Sequence, residues 1–372
     1  MPHSAAQLIS SGAPTRVPES APKRLVSLDA FRGLTIALMV LVNNNGSGRD
    51  AYFQLRHSEW HGWTLTDTVF PTFLWIVGLA ITLSLGKRVA QGVPKGALVA
   101  QVCRRSAILF VLGMLCYAFP HFDLGTQRIL GVLQRIAICY LVASVIYLFT
   151  GIRGQICCIV ALLAVYWALM TFAPVPGYGA GRLDVEGNFA HYVDHVVLGS
   201  HNYRPTRDWD PEGMVSTLPA IATTLLGVLA GYILRSRRKL ALAGCALLAA
   251  GLIWSYWMPI NKKIWTDSFC LFMAGLDFVV YAAFAWLVDE LGWRTPVKPF
   301  TILGMNAITI YMISEFAAEA LSALGLQRPI YHTVFVPLAS PANASLLYSL
   351  AFTGVMYVIA YLMYRRRWFI KV

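Results

Sequence analysis

Long apolar runs separated by short polar breaks set the pattern of this chain. A membrane-spanning helix needs about 20 mostly apolar residues. Ten stretches meet that need, near 25–46, 67–86, 104–120, 128–150, 155–174, 216–235, 240–258, 267–288, 299–321 and 345–364. The expected fold class is therefore all-α, a polytopic membrane helical bundle of about ten transmembrane helices. The first 23 residues are rich in Ser, Ala and Pro and lack an apolar run, so they read as a disordered cytoplasmic tail and not as a signal peptide. Residues 24–372 are left as one transmembrane domain.

Composition supports the same class. Hydrophobic residues make up 57% of the 372 positions and charged residues 13%, with a mean hydropathy of +0.59. An ordinary soluble domain is about one-quarter charged, so this chain cannot clothe itself in polar surface. A soluble enzyme, a disordered chain and a nucleic-acid binder are excluded. The net charge of +12 then reports loops rather than nucleic acid. Nineteen of the 30 Lys and Arg fall on the side of the N-terminus and nine on the other, which predicts both termini in the cytoplasm. That arrangement puts every histidine except His3 at or near the outer face, so imidazole chemistry is expected there. Seven cysteines, with no C-x-x-C pair, read as small apolar core residues.

Polar residues inside spans are costly and mark function or pairing. Asp29, Arg32 and Asn43 share one face of the first span, either as a stripe toward the bundle interior or as a headgroup salt bridge plus a polar end. Gln134 and Arg135 lie in the fourth span, where Arg135 needs a partner and Asp277 of the eighth span is a candidate. Asn306 lies in the ninth span, either on a polar path or bonded to a neighbouring helix. Two outer loops, 44–66 and 175–215, are too elaborate for simple connectors. The first gathers His57, Trp60, His61 and Asp67 at one mouth of the bundle. An imidazole with a pKa near 6.5 suits proton transfer, and Asp67 either orients it or caps the second span. His57 and His61 are spaced i, i+4, but no second ligand cluster matches them, so no metal is expected. In the second loop, Asp210 followed by Pro211 either starts the next helix or faces a substrate. Walker, Rossmann and G-x-S-x-G signatures are absent from the sequence.

The stretches RLVSLDAFRGLTIALMVLVN, LRHSEWHGWTLTDTVFPTFLWIVG and WDPEGMVSTLPAIATTLLGVLAG, with GVLQRIAICY and GMNAITIY, resemble the heparan-α-glucosaminide N-acetyltransferase family from about Arg24 onward. The resemblance implies a transmembrane acetyltransferase that takes acetyl-CoA from the cytoplasm and delivers the acetyl group to a glucosamine-type amino sugar on the far side. It places the active-site histidine at His57 and its partner asparagine at Asn43, beside which the local reading sets Asp67 to orient the imidazole. Arg32, Gln134, Arg135 and Asn306 would line the path for acetyl-CoA. Trp60, either a sugar platform or an interfacial anchor, joins His61 and Asp210 as substrate-binding candidates. His61 stands where the lysosomal enzyme has Asn, so the resemblance transfers no essential role to it. No large domain precedes the first span, which points to a bacterial inner-membrane member, and a homodimer is implied by analogy. A sugar or organic-anion transporter, or an O-acyltransferase acting on an envelope glycan, are the rival readings.

Overall fold

The computed structural model describes residues 25–370, and the expected tail over 1–23 lies outside them. Among the described residues there are thirteen α-helices and, apart from two isolated bridges, no β structure. In chain order they are α1 (Val26–Asn43), α2 (Leu65–Ala90), α3 (Lys95–Ala118), α4 (Val132–Phe149), α5 (Ile152–Phe172), α6 (Phe189–Leu198) and α7 (Thr217–Ile233). These are followed by α8 (Arg237–Trp254), α9 (Asp267–Ala285), α10 (Arg294–Met305), α11 (Ala307–Ala323), α12 (Gln327–Ile330) and α13 (Pro341–Arg365). The chain is a multi-pass membrane protein.

All ten expected spans are helical, but fewer are long and apolar enough to cross a membrane. Seven qualify: α1 to α5, α9 with its π-helical extension to Glu290, and α13. An eighth is α10 and α11 taken together. The expected ten is corrected at two places. Helix α7 is apolar but only 17 residues long, and α8 opens on Arg237, Arg238 and Lys239. The span expected over 299–321 is not one helix, because α10 and α11 meet at 73°. Asn306 sits at the break with φ −126° and ψ 35°, outside helical geometry. Its amide holds the far end of the chain, donating to the Trp368 carbonyl and accepting from the Ile370 N–H, each at 3.0 Å.

Helix α3 starts about nine residues earlier than its apolar run. Arg105, counted with a loop, therefore lies nearly three turns inside a helix. Cys116, Cys139 and Cys270 are buried as expected of core cysteines, but Cys103, Cys157 and Cys245 are exposed on helix faces.

Lipid gives helices little hydrophobic reason to associate, so close backbone packing at small residues takes over. At the α1–α10 crossing, a methyl on Gly33 would collide with the Phe300 carbonyl, and one on Gly304 with the Asp29 carbonyl. At the α2–α7 crossing, Gly78 abuts the Thr224 carbonyl and Gly227 the Trp75 carbonyl in the same way. Trp75 is fully buried beside them, ringed edge-on by Phe31 and Phe278 and at a tilt by Tyr281. These crossings fix α1 and α2 at the centre, each 61% buried along its span, whereas α5 at 22% lies on the periphery.

Gly227→Val should lower stability by about 1–3 kcal/mol, the usual cost of overpacking a filled contact. The check is the melting midpoint in detergent, with Gly48→Val, which has open space around it, expected to melt like the wild type.

Candidate active site

The loop between α1 and α2 is built around one carboxylate. Asp67 occupies the third position of α2 and is buried. Its Oδ2 accepts the Thr64 N–H at 3.0 Å and the Thr64 hydroxyl at 3.1 Å, closing the first turn of the helix. The same oxygen accepts the Ser58 N–H at 3.0 Å, which draws the loop over the helix start. Its Oδ1 lies 2.6 Å from His57 Nδ1. Asp67 thus does both things the sequence left open: it caps α2 and orients the imidazole. With Nδ1 donating to the carboxylate, Nε2 carries the free lone pair, and the side chain is 48% exposed. The His57 pKa falls below its ordinary 6.5, chiefly through the neighbouring Lys262 ammonium and then through burial, which together outweigh Asp67. An uncharged, oriented imidazole is equipped to accept a proton.

The other candidates gather around this mouth in different ways. Asn43, the last residue of α1, is exposed, with Glu315 of α11 nearby. The end of α1 is tied to the His57 loop two residues on, where Asn45 Nδ2 donates to the Leu55 carbonyl at 3.0 Å. Trp60 is half-buried in an aromatic group with His61, His191 and Trp209, and its indole N–H reaches the Leu183 carbonyl at 2.9 Å. That bond joins the two long loops. His61 is exposed, with Nδ1 3.4 Å from Asn261 Nδ2.

Asp210 does not start the following helix, since α7 begins at Thr217. It is buried in a charge cluster centred on Arg128, which donates to Asp210 at 2.7 and 2.5 Å and also to Glu212. The guanidinium is sandwiched between the rings of Tyr117 and Tyr203, at 4.8 and 4.5 Å. Burial pushes the Glu212 pKa up, but Arg128, Lys262 and Arg135 outweigh it and hold the carboxyl near about 2. Lys262 stands 3.9 Å from Glu212 Oε1, the oxygen other than the one Arg128 holds.

At the opposite end of the helices lies a cavity of about 360 Å³. Arg32 and Arg105 supply its charge, while Phe73, Ile136 and Tyr140 belong to its apolar walls. Arg32 is paired with Asp29 at 3.3 Å. Arg105 stacks on Tyr140 at 4.8 Å and keeps a buried Nε without a hydrogen-bond partner. Of the four residues expected to line a cofactor path, only Arg32 faces this space. Asn306 lies at its edge, between the lining residues Met305 and Ala307, and is spent on the chain end. Gln134 packs against Gly113 of α3. Arg135 turns toward the His57 end, bonding the Gly213 carbonyl at 3.0 Å and the Ser216 hydroxyl over the face of Trp265. Asp277 is therefore not its partner; that carboxylate takes the Thr72 hydroxyl at 2.5 Å.

A second space of about 10 Å³, lined in part by Met39, Leu133 and Tyr311, borders the cavity on its His57 side. It has room for at most one water, and its walls are mainly apolar side chains. The residues that sequence reasoning missed are Arg105, Glu212 and Lys262. A lysine pair in a connector and an acid after Asp210-Pro211 gave no local pattern to find them by. Among the described residues, no group of three or more His, Cys, Asp or Glu is arranged to hold a metal ion.

Residues 24–257 match the family model described as heparan-alpha-glucosaminide N-acetyltransferase, catalytic. The Mus musculus protein heparan-alpha-glucosaminide N-acetyltransferase is 29% identical over 419 aligned residues, covering 95% of this chain and 61% of the relative. The Homo sapiens protein of the same name is 30% identical over 358 residues, covering 79% of this chain and 53% of the relative. The chain therefore spans between 53% and 61% of the length of these curated relatives. The matched region runs from α1 through α8 and contains Asn43, His57, Asp67, Arg105, Arg128 and Glu212.

Arg128→Met should strand Asp210 as a buried, unpaired acid and leave Glu212 only the more distant Lys262, at a cost of about 3–5 kcal/mol. Because the Glu212 pKa is depressed, its contribution is present above its ordinary value of 4.5 and is lost as pH falls toward about 2. Melting curves between those pH values should be steeper in pH for the wild type than for Arg128→Met.

Proposed function

Because the chain belongs to the heparan-alpha-glucosaminide N-acetyltransferase catalytic family, we propose that it is a membrane acetyltransferase moving the acetyl group of acetyl-CoA to the amine of a glucosamine-type sugar. The observation that carries this reading is the His57–Asp67 pair at one mouth of the bundle, 2.6 Å apart within the family-matched region. The sugar amine attacks the thioester carbonyl, forming the N–C bond and breaking the C–S bond. His57 Nε2 takes the amine proton and the departing CoA thiolate receives one, so the products are the N-acetyl sugar and free CoA. Asn43 would donate to the developing oxyanion or to the thioester carbonyl. Asp67 holds the imidazole in the accepting tautomer.

Acetyl-CoA would enter from the opposite end, taken as cytoplasmic from the distribution of Lys and Arg. The cavity there suits an anionic cosubstrate: two guanidiniums border apolar walls, and the buried Nε of Arg105 has a hydrogen bond still to make. The acetyl group then has to pass the small void at Met39, Leu133 and Tyr311 to meet the amine. Trp60 and His61 border the acceptor side, with the His57 end facing the periplasm of a bacterial inner membrane.

Purified in detergent, the protein should acetylate glucosamine from acetyl-CoA, and His57→Ala should lose about 10²–10⁴-fold in rate, the span typical of a lost general base. Activity retained by a folded His57→Ala would sink His57 as the base. No acetylation of any amino sugar, together with sugar uptake into vesicles holding the wild type, would favour a transporter. After correction for the fraction of uncharged sugar amine, kcat/KM should stay flat at neutral pH and fall only below pH 6.5, where the His57 imidazole protonates. Arg105→Met should raise KM for acetyl-CoA far more than KM for the sugar, read by varying each substrate in turn.

A further inference from the structure

Helix α13 ends in a reversal of the chain. The Arg367 N–H bonds the Tyr364 carbonyl at 3.1 Å, and the Trp368 N–H bonds the Met363 carbonyl at 2.9 Å. These two bonds make the Schellman pattern, which needs a left-handed residue just past the helix. Glycine usually fills that position, but here Arg367 does, with φ 57°. The turn therefore carries a strained residue and sends 368–370 back against the helices.

There the segment meets Asn306. The amide Nδ2 donates to the Trp368 carbonyl and Oδ1 accepts the Ile370 N–H, each at 3.0 Å. One side chain thus grips two backbone groups two residues apart, as a peptide group in a neighbouring strand does. Among the described residues, no other side chain hydrogen-bonds 366–370. Packing adds little, since Trp368, Phe369 and Ile370 are 59%, 40% and 55% exposed. Asn306 is buried at the 73° break between α10 and α11, so its grip refers the segment to both helices. Beyond the grip, Ile370 lines the cavity of about 360 Å³ together with Arg32, Met305 and Ile308.

We propose that Asn306 is a positioning residue for cosubstrate binding: its amide clamps residues 368–370 as a strap, so that Ile370 forms one wall of the cavity. The proposal rests on the reading of that cavity as the acetyl-CoA site and adds the device that shapes it. Held in advance, the wall needs no ordering when the ligand arrives; released, it has to be ordered at the expense of affinity. Asn306 acts here through the strap, without touching the cosubstrate.

The clamp is tested first without ligand, by hydrogen–deuterium exchange of the peptide covering 366–370 in the full-length detergent-purified protein. Asn306→Ala should speed that exchange by about tenfold, as the loss of a net hydrogen bond implies. An unchanged rate in the folded variant overturns the proposal. Kinetically, Asn306→Ala should raise KM for acetyl-CoA by about tenfold and leave KM for the sugar near its wild-type value. A rise in both, or in neither, removes the positioning role. Where Asn306→Ala does not purify folded, Asn306→Asp, which keeps the acceptor and loses the donor to Trp368, is read by the same criteria. Ser84→Cys and Ile370→Cys then each place a thiol on the cavity wall, and both positions are exposed to N-ethylmaleimide. Acetyl-CoA should slow labelling of both, read by peptide mass spectrometry. Protection of Ser84→Cys alone overturns the strap as a wall of the site. Protection of neither overturns the reading of the cavity as the acetyl-CoA site, and the proposal with it.

Discussion

Asp67 is the point at which fold and candidate chemistry become inseparable. Its two oxygens hold the start of α2, the backbone of the preceding loop and the ring of His57. A helix N-terminus is a natural seat for a carboxylate, because unpaired N–H groups and the helix dipole both favour negative charge there. The charge that orients the imidazole is thereby supplied by a residue the helix already needs. Helix α2 is itself fixed by the backbone contact of Gly78 and Gly227 with α7. The position of His57 is therefore referred to the centre of the bundle rather than to a free loop.

The two ends of the bundle are built differently. The His57 end is heavily hydrogen-bonded, with the Arg128, Asp210 and Glu212 cluster beneath the long loop and the aromatic group around Trp60 joining that loop to the first. The opposite end holds an open cavity flanked by the broken pair α10 and α11. Between the two ends lies a small void walled mainly by apolar side chains such as Met39 and Leu133. On the proposed function, this separation lets a cosubstrate and an acceptor arrive from different sides of a membrane, with the acetyl group as the part that must pass between them.

Charge at the His57 end is balanced group by group. Arg128 is shared by Asp210 and Glu212, and Lys262 supplies the second positive charge beside Glu212. Burial makes each of these interactions stronger than it would be in water and makes each unpaired member costly. The long loop is thus held by charge to Arg128 and Lys262, and its ten-residue helix α6 anchors the approach through Asp194, which accepts the Met214 N–H at 2.9 Å.

The sequence by itself determined the all-α membrane class and the location of every helix expected to span, because hydropathy over about 20 residues is a local sum. Local chemistry likewise singled out His57 and Asp67, ten positions apart across one loop and a helix start. What the tertiary structure decided is which remote groups meet. The bond between Asn261 and His61 joins residues 200 positions apart, and Asp210 reaches Arg128 across 82. No periodicity records such pairings, which is why the sequence offers Asp277 only as a candidate partner for Arg135 and leaves Lys262 unmarked. The break at Asn306 was hidden for the same reason: its amide is occupied by the backbone of Trp368 and Ile370. Apolar pattern depends on neighbours in the chain, whereas partner choice depends on where the folded helices bring their ends together.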